Sequence, residues 1–359
     1  DAAYCIMENG VITLHNEFER HLRLKEPKTD AIQYMFDTYA DFDDISHIGT
    51  CYPKSLVTKL SSKSFDKVEQ ISKKNNGLTH FISHHKAHCA NALYSSNFRE
   101  ALIITADGSG VEDDNGNVSA FTVWKGIDKK IYPLTSYSAH QVNVGTIWTR
   151  CTRYIFNFQS GFPRGHQAGS TMALAAYGDE TRFHDDFYKM LTSDLHLASF
   201  KHPEQPDENT GTAPRHPYLQ RWREIADKSV QDKYDLAAGL QSATETFLRE
   251  LFSRALELYE TKDNINLALS GGVALNSVAM GKIKSWFPQI NNVYVTPTPH
   301  DGGLPIGCVQ YIWHHELDNE RIIWKDDFSP YLGRAYSKQE VFRALEKYKD
   351  EVSYVSSND

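Results

Sequence analysis

The chain has 359 residues, of which 40% are hydrophobic and 23% charged. That length exceeds one ordinary core and suits a large bilobal unit or two domains of a soluble globular protein, and no apolar run is long enough to span a bilayer. The net charge of -8 at pH 7 counts against a broad phosphate-binding surface and leaves only a local basic groove open for nucleic acid.

The opening "DAAYCIMENGVITLHNEFER" predicts a β-hairpin, because apolar runs flank Glu8-Asn9-Gly10 and Asn-Gly favours a tight turn. Asp30 to Tyr39 has a loose helical period. "ISHIGTCYP" predicts a short strand running into a loop. Ser61 to Asn76 is polar and Lys-rich, a solvated helix or excursion. Ala101 to Thr105 is a buried-strand run, which Asp107-Gly108-Ser109-Gly110 is expected to end. After the turn-rich "EDDNGN" a second strand follows at Ser119 to Trp124, so an acidic residue sits at the mouth of a hairpin. Thr146 to Phe158 and "STMALAAYG" are helix candidates, the latter stopped by Gly178.

From Asp179 to Lys233 the periodicity dissolves, punctuated by Pro203, Pro206, Pro214 and Pro217, and residues 179–234 are expected to form a loop-rich insertion. Asp235 to Glu260 carries the clearest helical stripe: Leu236, Leu240, Phe247, Leu251, Ala255 and Leu258. "INLALSGGVALNSVAMGKI" reads as strand, Gly-rich turn and helix, and "NNVYVTPTPHDGGLPIGCVQYIWHH" repeats the plan. Near the end, Ser337 is positioned to cap a helix through about Lys349. These last elements are expected to open a further domain that is cut short.

There are five cysteines, an odd number with no CxxC pair, which fits a reduced cytoplasmic setting. No signal peptide is visible, although the chain opens at Asp1 without an initiator Met.

Two Gly-rich loops, "SGGVALN" and "HDGGLPIG", fall at the carboxyl ends of predicted strands, where open α/β sheets bind ligands. Glycines let backbone amides approach an anion, and a helix N-terminus adds positive potential. Gly271, Gly272 and Asn276, with Gly302 and Gly303 beside them, are candidates for holding a nucleotide; the alternative is two tight strand-to-helix turns. The pattern is neither a Walker loop nor a dinucleotide fingerprint.

In "FISHHKAHCANALYSS", His84 and His88 fall four apart and share a helix face, while His85 points elsewhere. A metalloprotease helix needs Glu directly after its first His, and here that place is His85. The pair is either solvated or half of a metal site. If Asp107 and Asp301 converge on it, two imidazoles and two carboxylates would suit a borderline divalent metal such as iron or zinc. Spacing leaves that convergence open.

"HHKAHCANALYSSNFREALIITADGSG", "NVGTIWTRCTRYI", "TMALAAYG", "LALSGGVALNSVAMGKI" and "HDGGLPIG" occur in this order. As a set they resemble the O-carbamoyltransferases of antibiotic and nodulation-factor biosynthesis. The resemblance implies an α/β, actin/Hsp70/sugar-kinase-like bilobal fold of two ribonuclease-H-like halves, over residues 1–328. Residues 329–359 would begin a domain like the threonylcarbamoyl-AMP synthases. It also implies a reaction: carbamoyladenylate, made from carbamoyl phosphate and ATP by the smaller domain, gives its carbamoyl group to an acceptor hydroxyl at the larger one.

Carried over by the resemblance, His84, His88, Asp107 and Asp301 are the metal ligands. The metal is iron(II) first, with zinc or magnesium as alternatives. Gly271, Gly272, Val273 and Asn276 form the adenosine loop, and Gly108, Ser109, Gly302 and Gly303 line the nucleotide. Lys25, in "EFERHLRLK", and His84 are the candidate catalytic residues, Lys25 by stabilising charge on the carbamoyl oxygen.

Two departures stand out. The family's His ahead of the position of Asp1 falls before this chain begins, and the lysine before "TMALAAYG" is replaced by Ser170, with Arg164 or His166 as substitutes. The acceptor implied is a sugar or other small molecule, with a hydroxymethyl pyrimidine in DNA as a second option and no membrane partner. The competing classes are a nucleotide- and metal-binding module without transfer, and threonylcarbamoyl transfer to tRNA. Oligomeric state is left open.

Overall fold

A computed structural model of the chain describes residues 2–23, 45–54, 66, 69, 70, 72–74, 76–158, 167–192, 217–323 and 336–351. The chain opens with the hairpin: β1 (Ala3–Glu8) pairs antiparallel with β2 (Val11–Glu17). Asn9 and Gly10 both turn with positive φ, 50° and 82°, the backbone that a two-residue Asn-Gly hairpin requires. A short helix, α1 (Phe18–Leu22), follows at once. The strand expected within "ISHIGTCYP" is β3 (Ile48–Thr50), and it pairs in parallel with β4 (Thr79–Phe81). The helix expected over Asp30 to Tyr39 lies outside the described residues.

Helix α2 (His84–Tyr94) leads into the principal sheet. Its strands are β5 (Glu100–Val111), β6 (Val118–Ile127), β7 (Lys130–Ser138), β8 (Ile265–Ser270) and β9 (Ile290–Val295), in spatial order β7-β6-β5-β8-β9. The β5-β6-β7 edge is antiparallel and β5-β8-β9 is parallel. The fold is therefore α/β on a mixed sheet. Among the described residues this is the one five-stranded sheet; the other two have two strands each.

The sheet is covered on both faces, which explains why its central strands are almost continuously apolar rather than alternating. On β5, Leu102, Ile104 and Ala106 point into one core cluster, while Ala101 and Ile103 point into the other. The first face is covered by α3 (Val144–Arg150), the π-helical turn Cys151–Ile155 that continues it, and α7 (Val230–Leu258). The second face is covered by α2 and α9 (Leu304–Gln310). These pack so closely that a Cβ on Gly307 would stand 1.9 Å from the Ala87 carbonyl oxygen. Within α2 every residue but Lys86 is buried, and the polar ones among them, His84, His85, His88 and Asn91, are buried at the site and the sheet rather than left to solvent.

Two expectations need correction, and one strand is added. Asp107-Gly108-Ser109-Gly110 does not end its strand: β5 runs on to Val111 with a bulge. Ala106 pairs with Phe121 and Gly110 with Ser119, so Asp107, Gly108 and Ser109 face Ala120 alone and bow outward. β7 is a further strand at the sheet edge. The 179–234 segment, read as loop-rich, carries α5 (His184–Thr192), α6 (Pro217–Ala226) and the start of α7 in its described part. Phe187, Met190 and Leu191 of α5 are buried against Trp222 and α7 in the first core cluster. Tertiary burial stabilises helices that the prolines and charges of the surrounding sequence obscure.

The remaining helices are α4 (Ala168–Ala175), α8 (Ser277–Trp286) and α10 (Lys338–Glu346). Ser337 caps α10 in a full capping box with Glu340, as expected. All five cysteines are free thiols, with Cys89, Cys151 and Cys308 buried. No helix among the described residues is long and apolar enough to cross a membrane.

Candidate metal centre

Strand alternation sets the positions of the key side chains. Ala101, Ile103, Thr105 and Asp107 of β5 share the face toward α2, and so do Ala268 and Ser270 of β8. On α2, His84 and His88 stand one turn apart above this face. His84 Nε2 lies 3.0 Å from Asp107 Oδ2 and 3.6 Å from Asp301 Oδ1. His88 Nε2 lies 3.7 Å from Asp107 Oδ2 and 3.5 Å from Asp301 Oδ1. One ligand atom from each of the four residues falls within 4.8 Å of all the others. Asp301 is carried by the short 3₁₀ turn Asp301–Gly303 that leads into α9.

The residues present fit a metal ion on an observation independent of their types. His88 Nε2 and Asp301 Oδ1 are buried and have no hydrogen-bond partner. Two orphaned lone-pair atoms aimed at one point are costly unless something positive joins them.

The protonation of His88 is set from behind. Ser270 Oγ donates to the Pro299 carbonyl at 3.3 Å, so it accepts from His88 Nδ1–H at 3.2 Å. That leaves Nε2 as the ligand nitrogen. Burial disfavours a charge on His88, but the carboxylates of Asp107 and Asp301, 3.7 and 3.5 Å from Nε2, outweigh it and push its pKa up to about 9. Burial likewise opposes ionisation of Asp107, yet His84 and His88 hold its carboxyl well below the ordinary range. The other Asp107 oxygen, Oδ1, accepts the Gly272 N–H at 3.1 Å.

His85 is not part of this group. Its Nδ1 is 2.5 Å from Thr105 Oγ1 and its Nε2–H donates to the Ser119 carbonyl at 3.1 Å. A chain from Trp124 Nε1–H through Thr122 and Thr105 ends on that Nδ1. Burial, first, and the neighbouring His84 and His88 lower its pKa to about 3, so it is a neutral core histidine.

Close backbone approach builds the rest of the site. Gly271 has φ 92°, and a Cβ there would lie 2.2 Å from the Ala106 carbonyl oxygen. A Cβ on Gly110 would lie 2.1 Å from His84 Cδ2, so the glycine after the β5 bulge makes room for the ring. The Gly108 carbonyl accepts from Thr146 Oγ1 at 3.0 Å, seating α3 against the bulge, whose Ser109 is exposed.

Of the other predicted residues, Val273 is buried in the first core cluster. Asn276 caps α8 by accepting from Ala279 N–H and makes a reciprocal amide pair with Gln241 at 2.9 and 3.1 Å. The Gly302 carbonyl accepts from His15 Nε2 at 2.7 Å, and Gly303 N–H donates to the His300 carbonyl at 2.8 Å. Lys25, Arg164 and His166 lie outside the described residues, and Ser170 is exposed on α4. Gly110, Ser270, His15, Glu17 and His300 were not legible as site residues; only the serine directly before Gly271 offered a local signal.

The sequence profile described as Carbamoyltransferase N-terminus matches residues 41–309. The chain belongs to this family. Among relatives of the carbamoyltransferase N-terminus, an uncharacterized protein of Synechocystis sp. is 28% identical over 277 residues, covering 73% of this chain and 41% of that protein. The nodulation protein NolNO of Sinorhizobium fredii is 27% identical over 235 residues, covering 64% of this chain and 30% of that protein. The chain thus spans less than half the length of these two relatives. Among solved structures it is similar to HypF of T. kodakarensis, at 15% identity and a TM-score of 0.41, covering 69% of this chain and 38% of that one.

Proposed function

We propose that residues 1–328 form the acceptor-side unit of an O-carbamoyltransferase, and that residues 329–359 begin a carbamoyladenylate-forming domain. The mixed sheet with three antiparallel and two further parallel strands supports an actin-like half built on a ribonuclease-H plan. The five free cysteines support a cytoplasmic setting.

The observation that carries this reading is the convergence of His84, His88, Asp107 and Asp301 beside the Gly271-Gly272 loop. The four would hold a divalent metal, iron(II) first, with zinc or magnesium as alternatives. When bound, such an ion supplies Lewis acidity and neutralises phosphate charge. The protein's own part is positioning. His84 and His88 are 4% and 0% exposed, so water is excluded from their side of the site. Gly271 and Gly272 let backbone approach the adenylate without side chains intervening, and Asp107, its carboxyl held well below the ordinary range by His84 and His88, is ionised to receive the cation.

In the reaction an acceptor hydroxyl oxygen bonds to the carbamoyl carbon of carbamoyladenylate. The bond from that carbon to the phosphate oxygen breaks, AMP leaves with the electron pair, and the hydroxyl proton is released. Carbamoyl phosphate and ATP are the precursors. The acceptor class is a sugar or small-molecule hydroxyl, with a hydroxymethyl pyrimidine of DNA as the alternative.

The test supplies carbamoyladenylate and a panel of hydroxylated acceptors, nucleosides and DNA to the metal-loaded protein and follows AMP release and acceptor mass. Acceptor-dependent AMP release with a carbamoylated product supports the reading. Nucleotide binding with no turnover on any acceptor overturns it in favour of a binding module.

A further inference from the structure

The turn that carries Asp301 is held by three side chains from opposite ends of the chain. His300 Nδ1 accepts the Gly302 N–H at 3.1 Å and so caps the turn directly before the aspartate. His15, on β2, donates from Nε2 to the Gly302 carbonyl at 2.7 Å. Glu17, at the end of the same strand, places Oε1 3.8 Å from His300 Nε2. Both peptide groups flanking Gly302 are thereby fixed, one on each side.

The packing leaves no slack. A Cβ on Gly302 would lie 2.6 Å from His300 Cε1 and 3.0 Å from Glu17 Oε1. The glycine, the imidazole and the carboxylate therefore form one close-packed unit. Asp301 cannot rotate its backbone without breaking it. Its Oδ1 is held buried and unpartnered opposite His84 and His88.

We infer that His300 is a positioning residue for the metal ligand Asp301, with Glu17 orienting its ring and His15 securing the far side of the turn. This rests on the metal-centre reading above. The device resembles the outer-shell partners that aim carboxylate and imidazole ligands, but here it acts on the ligand's backbone rather than its side chain. It also makes the N-terminal hairpin part of the metal site, although the hairpin supplies no ligand among the described residues.

The experiment titrates the purified protein with Co²⁺ and records the visible d–d absorption, beside wild type, for His300→Ala, His300→Asn and Glu17→Gln. Thermal melting of each apo-protein serves as a folding control. Asn can offer its side-chain oxygen to the Gly302 N–H, so it tests the cap separately from the ring. His300→Ala is expected to weaken Co²⁺ binding roughly 10–100-fold and to alter the absorption band, with apo melting close to wild type. His300→Asn should recover most of the affinity, and Glu17→Gln should fall between.

Wild-type affinity and band shape in His300→Ala would overturn the positioning role while leaving the metal centre intact. Loss of binding matched by an equal loss of apo stability in both His300 variants would overturn it in favour of a purely structural cap. Failure of the wild type to bind Co²⁺, or any of iron(II), zinc and magnesium, would overturn the metal-centre reading and this inference with it.

Discussion

His88 Nδ1 lies 3.2 Å from Ser270 Oγ, a residue 182 positions later in the chain, and this contact decides which imidazole nitrogen faces Asp107 and Asp301. Ser270 is the last residue of β8, directly before the Gly271-Gly272 loop, so this hydrogen bond ties the end of that strand to the candidate ligand histidine.

Ser270→Ala removes that contact while leaving the volume nearly unchanged. His88 then loses its tautomer control, and metal affinity is expected to fall roughly 10–100-fold with the fold retained. Calorimetric titration with Mn²⁺ or Co²⁺ checks this; unchanged affinity would show that the serine does not set the tautomer.

Gly110→Ala puts a methyl group where the His84 ring stands, 2.1 Å from Cδ2. The ring must move, and overpacking of this kind costs about 1–3 kcal/mol. The expected result is a loss of that size in urea unfolding together with loss of metal binding. A variant with normal metal affinity would mean that His84 is not needed where it stands.

The buried histidines give a pH dependence with a definite sign. Burial lowers His85 to about 3 and His314 to about 4, against 6.5 for an ordinary histidine. Between these values and 6.5 the unfolded chain takes up protons that the folded chain refuses, so stability falls as pH drops. Each group costs up to about 1.4 kcal/mol per pH unit in its window. Urea unfolding at pH 7 and pH 5 should show the loss, and His314→Asn should reduce it. Equal stability at both pH values would contradict the neutral, buried state of these rings.

Arg321 offers a stability test far from the site. Its guanidinium donates to the carbonyls of Leu93, Ser96, Phe98 and Asp128, closing the C-terminal end of α2. Burial lowers its pKa to about 10, which still leaves it charged at neutral pH. Arg321→Ala strands several buried acceptors and should destabilise the protein by about 3 kcal/mol. A change under about 0.5 kcal/mol, the usual size for a surface substitution, would show that water replaces the arginine freely.

What the sequence made legible was local. Asn9-Gly10 announced the hairpin, the Leu236-to-Leu258 stripe announced α7, and Ser337 announced α10. The four-residue spacing of His84 and His88 gave half of the site, and the Asp in each Gly-rich loop gave candidates for the rest. What stayed hidden depends on contacts distant in sequence. The bulge at Asp107 follows from pairing with β6 and from the room that His84 needs at Gly110. The helices of the 179–234 segment are stabilised by burial on α7 rather than by clear periodicity. His15 reaches Gly302 across 287 positions, and no local pattern encodes that.

His84, His88, Asp107 and Asp301 are proposed to hold one metal ion between them. Elemental analysis of the protein reconstituted anaerobically with iron(II), zinc or magnesium and then desalted, beside His88→Ala treated identically, tests it most directly. Stoichiometric metal is expected in the wild type and none in the variant, with matching circular dichroism. Absence of bound metal in the wild type, or equal metal in both proteins, would contradict it.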